Sequence, residues 1–175
     1  EKDRNSHYFA RELLWAGRPQ SAIREFRRHV AMDKWLPEKA QSMIFIGDAH
    51  LMLGQVDQAL ASYHRAFDTD SSRREALIRL AEYYYKAGDC QRTAAYAAAA
   101  LTIPWSDYYA NQVAHYEHWP HEMLYWALWY LGDKAGSRYH FDKAFAYQPT
   151  IPKYLDARKL DYPEEAEPEV ETTTG

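Results

Sequence analysis

The sequence predicts an all-α solenoid of about four helical hairpins closed by a C-terminal capping helix. Gly17, Gly54, Gly88 and Gly132 each follow an aromatic–aliphatic run with helical spacing. Five positions after each glycine stands a small residue (Ala22, Ala59, Thr93, Ser137), and four further on stand Phe26, Tyr63, Ala97 and Phe141. The glycines lie 37, 34 and 44 residues apart (17 to 54, 54 to 88, 88 to 132), so one unit recurs along the chain. The glycine lets the chain leave a first helix in a tight turn. The small residue lets the second helix lie close to the first, and the residue one turn later, aromatic in three of the four units, fills the gap towards the next hairpin. Each hairpin then carries an apolar edge that it cannot bury alone, and stacking follows.

The elements take their places from this frame. First helices are expected near 5–16, 38–53, 73–87 and 119–131, and second helices near 19–32, 56–68, 90–102 and 134–147. The hairpins therefore span about 5–32, 38–68, 73–102 and 119–147 of a repeat domain over 1–162. Pro19, Pro37, Pro104, Pro120 and Pro149 punctuate them at helix starts and linkers. The first glycine gap holds about three extra residues near Asp33 to Pro37, and the last holds about ten, an insertion over 104–118. Beyond Pro149, the amphipathic stretch Pro152 to Leu160 is expected to form the cap, over about 151–160. No strand is expected.

Composition supports a packed helical protein. Apolar residues make up 47% of the 175 and aromatic residues 15%, with only seven glycines, so a disordered chain is excluded. The single cysteine, Cys90, excludes an internal disulfide and fits a reducing compartment. The opening Glu1-Lys2-Asp3-Arg4 lacks a signal-peptide core, and the alanine-rich run Thr93 to Pro104 is too short to span a bilayer. The reading is of a soluble, cytoplasmic protein. Of the 25 acidic residues, six lie from Asp161 onwards, where there is no Lys or Arg; the remaining 19 face 21 basic residues. A near-neutral body gives no electrostatic reason to expect nucleic acid or membrane. The acidic tail, 163–175, has little to bury and is expected to be solvated. The alternative is that it lies against basic Arg4 and Arg11 of a second copy, so a homo-oligomer is possible.

Stacked hairpins curve, and their first helices line the concave face. The groove positions expected there are His7, Arg11 and Leu14; Ile44, Asp48 and Leu51; Ile78, Glu82 and Tyr85; and Glu122, Trp126 and Trp129. The set is basic at its N-terminal end, acidic in the middle and aromatic at its C-terminal end. Trp and Tyr are typical anchors of binding patches. The competing expectation is that Trp126 and Trp129 only pack against the insertion.

The insertion is a long, aromatic, non-repetitive stretch, which marks it as a functional surface through Trp105, Tyr108, Tyr109, His115, Tyr116 and His118. With His121, its histidines invite a metal reading. No cysteine lies near and Pro120 breaks the register, so hydrogen-bonded structural histidines are expected and no metal or cofactor. Asp68-Thr69-Asp70 matches a metal-binding D-x-D, but it closes a helix, where linker acids are ordinary. Arg24, Arg27 and Arg28 fall on a convex second helix and read as a solvated face. No nucleophile, base and orienting residue share a recognisable setting, so no catalytic residue is expected and the chain is not read as an enzyme.

The 34-residue gap is the period of the tetratricopeptide (TPR) repeat, which the hairpin pattern resembles. That resemblance implies a right-handed superhelix used for protein–protein interaction. One group of TPR domains holds acidic chaperone C-termini through Lys, Arg and Asn in the groove. Here Asp48, Glu82 and Glu122 fill the matching positions and would repel such a ligand. Several stretches further resemble the C-terminal TPR region of bacterial and phage family-2 glycosyltransferases: Arg4 to Gly17, Ala22 to Phe26, Trp35 to Pro37, Ile46 to Asp48, Arg73 to Ala76, and Ile103 to Glu122 before a final hairpin. This likeness covers most of residues 4–160. It implies a non-catalytic module, attached to an upstream α/β transferase domain, that recognises a protein or glycan acceptor or pairs subunits. The alternative is a free-standing scaffold that binds a partner peptide or helix in its groove.

Overall fold

A computed structural model describes residues 2–32 and 34–152, and the side chains from Asn5 onwards. Four hairpins stack in chain order: α1 (Lys2–Trp15) with α2 (Pro19–Met32), α3 (Leu36–Met52) with α4 (Val56–Thr69), α5 (Glu75–Lys86) with α6 (Cys90–Leu101), and α8 (His118–Leu131) with α9 (Lys134–Tyr147). A short helix, α7 (Val113–Tyr116), lies between the third and fourth. No strand occurs among the described residues. The architecture is the expected right-handed helical solenoid. The expected cap over 151–160 and the acidic tail lie outside the described residues, apart from the first residues of the cap.

The repeat pattern becomes four equivalent turns. Gly17, Gly54, Gly88 and Gly132 all take positive φ, from 68° to 86°, which side chains on L-residues resist. Each turn closes with the same pair of bonds. At the third, Gly88 N donates to Tyr85 O at 3.1 Å and Asp89 N to Tyr84 O at 3.0 Å, the double closure of a helix ending in a left-handed residue. Asp89 then caps α6 by accepting from Arg92 N at 2.9 Å, and Asp133 caps α9 by accepting from Gly136 N at the same distance.

The small and large positions of the repeat form the core. Ala22, Ala59, Thr93, Ser137, Phe26, Tyr63, Ala97 and Phe141 are all fully buried. Gly47 on α3 adds a close approach not read from the pattern: a Cβ there would run into the ring of Tyr63. Hairpin four stacks directly on hairpin three through α6 and α8, so the insertion is looped out of the stack. The first helices also touch their successors, α1 to α3, α3 to α5 and α5 to α8, which puts them on the inside of the curve. No helix among the described residues is long and apolar enough to cross a membrane.

Candidate interaction groove

The groove floor is built from α3, α5 and α8. Asp48 stands on α3 over Tyr63, whose hydroxyl donates to its carboxylate at 2.7 Å. Arg79 on α5 reaches back to Asp48 at 3.4 Å and pairs with Glu82 at 2.8 Å. Burial raises the Asp48 pKa and Arg79 opposes that shift. Burial alone would weaken the Arg79 charge, but the two carboxylates more than restore it. Trp119 Nε1 donates to Glu82 Oε1 at 2.8 Å and ties α8 to this network.

Next to the carboxylates lies a run of rings. Tyr85 meets Trp126 edge-to-face, with centroids 4.7 Å apart, and Trp119 at 6.0 Å. Trp126 continues to Tyr130 at 4.9 Å, and Tyr130 is 67% exposed. Tyr85, Trp119, Trp126 and Glu122 keep part of their surface in solvent. Burial raises the Tyr85 pKa, and the negative charge of Glu122 adds to the shift.

Several expected groove residues turn elsewhere. Leu14, Ile44 and Ile78 are buried, because their helix face meets the neighbouring hairpin. Leu51 is half-buried against the central core. His7 is also buried, its Nδ1 2.7 Å from Ser42 Oγ. Arg11 stacks on Tyr8 and Trp15, with its guanidinium carbon 4.9 and 4.5 Å from their ring centres. Trp126 and Trp129 part company: Trp126 joins the groove rings, whereas Trp129 packs with Phe141 between α8 and α9 under Lys134 Nζ.

The insertion is held by two adjacent arginines at the start of α5, a link the sequence pattern did not signal. Arg73 donates to Asn111 Oδ1 (2.9 Å), Pro37 O (3.2 Å) and Gln41 Oε1 (2.9 Å), and lies 4.0 Å under the Tyr108 ring. Arg74 donates to Ile103 O (2.6 Å), His115 O (3.4 Å) and Leu101 O (3.4 Å), beneath Tyr116. It thereby satisfies carbonyls at the end of α6. Glu75 accepts from Gln112 N and from the Tyr116 hydroxyl. Tyr108 and His115, expected on the insertion surface, are therefore turned inwards, and Tyr116 and His118 are half-buried. Trp105 and Tyr109 stay about half exposed. The anchors sit at the N-terminal ends of α3 and α5, so the insertion covers that half of the groove and the Asp48–Trp126 half stays open.

Tyr109 donates to Glu38 Oε1 at 2.8 Å; Glu38 Oε2 lies 3.9 Å from His29 Nε2, and His29 Nδ1 lies 2.9 Å from Ser42 Oγ. Ser42, His29 and Glu38 have the residue order of a hydrolytic triad. The Ser42 hydroxyl is fully buried and held between two imidazoles, so no substrate reaches it. The set is a packing network that joins the first hairpin to the insertion.

Among the described residues no three His, Cys, Asp or Glu come together as a metal site. Burial lowers the His115 pKa to about 4, and nearby Arg79, Arg73 and His118 act in the same direction. His121 Nδ1 lies 2.8 Å from His140 Nδ1 across the last hairpin. Asp70 accepts from Ser72 N at 3.1 Å and from Ser72 Oγ at 2.6 Å, so the D-x-D stretch holds the turn between α4 and α5. Arg24, Arg27 and Arg28 are exposed on α2.

The profile of the tetratricopeptide repeat matches residues 9–62 and 46–108, more than half of the chain. The chain belongs to the tetratricopeptide repeat family. Its fold is similar to that of PilF from Pseudomonas aeruginosa, at 11% identity and a TM-score of 0.65 over 90% of this chain, which spans 66% of that protein. It is also similar to MamA (15% identity, TM-score 0.64, 90% of this chain and 80% of that one). Kinesin light chain TPR-like repeats from Podosopora anserina align at 18% identity and a TM-score of 0.61, over 89% of this chain and 81% of that one. No curated protein matches the chain. TPR domains are in general non-catalytic modules of protein–protein interaction. The profile match ends at residue 108, and the fourth TPR hairpin rests on its own geometry: Gly132 at φ 86°, with Ser137 and Phe141 fully buried.

Proposed function

We propose that the chain is a peptide-binding TPR module whose ligand enters the open half of the concave groove, between Asp48 and Trp126. The observation that carries this is the asymmetry of the groove. The insertion fills the end near Arg73 and Glu75, while part-exposed rings and hydrogen-bonded carboxylates remain at the other. Such a mixture of rigid aromatics and fixed polar groups suits a partner segment better than a solvent face. A narrower form of this reading follows from the resemblance to family-2 glycosyltransferases. There the module presents a protein or glycan acceptor to a linked catalytic domain. The coding sequence upstream of residue 1 tests that form: a transferase domain supports it, and an unrelated or absent domain leaves the free-standing scaffold.

The groove itself is tested with peptides selected from a random dodecapeptide phage library. Selected peptides are expected to lose at least tenfold in affinity for Tyr85→Leu and Trp126→Phe, and little for Trp105→Ala or Tyr109→Phe. The reverse pattern would move the partner surface to the insertion.

A further inference from the structure

The seam between the first two hairpins holds a pocket that the groove does not use. Arg27 and Val30 on α2, Met43 and Ile46 on α3, and Ser62 and Arg65 on α4 line a cavity of about 80 Å³. Arg27 and Val30 stand three residues apart, as do Ser62 and Arg65, so one turn of each helix supplies both wall and rim. The floor is apolar, and its few polar atoms already have partners. The Ser62 hydroxyl donates to Gln58 O at 2.7 Å, and Met43 Sδ accepts from the Thr69 hydroxyl at 3.4 Å. The cations at the rim differ. Arg27 and Arg65 are exposed, and neither side chain forms an ion pair or hydrogen bond with any described residue. Asp68, one turn beyond Arg65 on α4, makes no ion pair with it. By contrast, Arg28 is held by Glu25 and Arg24 by Ser21. Two like charges therefore share the rim of an apolar cavity, and an anion between them would relieve their repulsion.

We infer that this seam is a second binding surface, for an acidic peptide segment. One aliphatic side chain of the segment fills the cavity, and Asp or Glu residues on either side of it pair with Arg27 and Arg65. An inorganic anion would satisfy the rim and leave the apolar floor wet, whereas an uncharged peptide would fill the floor and leave both guanidiniums unpaired. Each guanidinium presents a planar fork that a carboxylate meets with two parallel hydrogen bonds. Arg27 and Arg65 stand on second helices, whereas the groove is built on first helices, so this surface and the groove stand or fall separately.

NMR of methyl and arginine Nε–H groups in the full chain tests this, with acetyl-Glu-Glu-Leu-Glu-Glu-amide as the probe. The peptide is expected to shift the methyls of Val30, Met43 and Ile46 and the Nε–H signals of Arg27 and Arg65. Leu51 and Arg79, in the groove, should stay in place. Replacing the central Leu of the peptide by Gly should weaken binding about fivefold on the unaltered protein, a test independent of how any variant folds. Raising salt from about 50 to 300 mM should weaken it about threefold. The exposed double variant Arg27→Gln/Arg65→Gln should lose about tenfold with an unchanged thermal melt, and Arg24→Gln should lose little. No shift at millimolar peptide would overturn the surface. Equal binding of the Leu and Gly peptides, or an Arg24→Gln loss as large as that of the double variant, would overturn it in favour of general attraction to a basic helix. Sodium phosphate that displaces the peptide at equal ionic strength and shifts the same methyls would overturn the peptide in favour of a free anion.

Discussion

His121 on α8 and His140 on α9 meet nitrogen to nitrogen, Nδ1 to Nδ1 at 2.8 Å, with ring centroids 5.1 Å apart. One ring must donate its proton and the other must accept it, so the pair is complete only when one of the facing nitrogens is bare. Burial lowers the pKa of both, His121 to about 4, helped by the charge of its partner and of Lys143 and Arg74.

Acid should therefore loosen the chain. The folded-state pKa values of His115, His121 and His140 lie below the unfolded value, so the unfolded chain binds more protons between about pH 6.5 and 4. Their stabilisation is complete above about pH 6.5 and falls away towards pH 4. Nearly buried His115 accounts for about 2–3 kcal/mol, and the half-exposed pair adds less, because solvent screens it. Urea midpoints between pH 7.5 and 4 read this. His115→Gln should flatten the curve more than His140→Asn, and an unchanged slope in both would contradict the assignment.

Arg74 should be the most sensitive residue of the insertion. Its guanidinium is buried and reaches three carbonyls. Arg74→Ala leaves those carbonyls unsatisfied and should cost about 3–5 kcal/mol. Arg74→Lys, which lacks the planar fork, should cost about 2 kcal/mol. Both should open the stretch from Trp105 to Asn111 to protease, and an insertion as resistant as before would show that other contacts hold it.

The absence of a side chain at Gly47 makes room on α3 for the ring of Tyr63. Gly47→Ala should destabilise by about 2–4 kcal/mol, because the buried ring has nowhere to move. The double variant with Tyr63→Leu should cost less than the sum of the two single changes. Additive melts would show that the two positions do not press on one another.

Trp129→Ala and Trp126→Ala should separate stability from binding. Trp129 belongs to the core of the last hairpin, and its loss should cost about 3 kcal/mol. Trp126 should cost about 1 kcal/mol and lower peptide affinity instead. Equal melting shifts would assign both to packing.

The repeat was legible because its physics is local. A left-handed turn requires glycine, and a close helix pair requires a small residue five positions on, so Gly88 and Thr93 declare a hairpin without any distant contact. The same reasoning placed Asp48, Glu82, Tyr85 and Trp126 on first helices. It misplaced His7, Leu14, Ile44 and Ile78, because helical spacing gives a direction around one axis and says nothing of how deeply the neighbouring hairpin reaches. The insertion was legible as an irregularity in spacing, but the pattern assigned it to a loop surface. Its helix α7 and its inward Tyr108 and His115 depend on Arg73 and Arg74, which lie about 30–40 residues earlier in the sequence. The sequence by itself thus determined the all-α stack and its four glycine turns, which depend on interactions within five to nine residues. Tertiary structure alone decided which half of the groove stays open, because that depends on two buried arginines finding carbonyls and rings far along the chain.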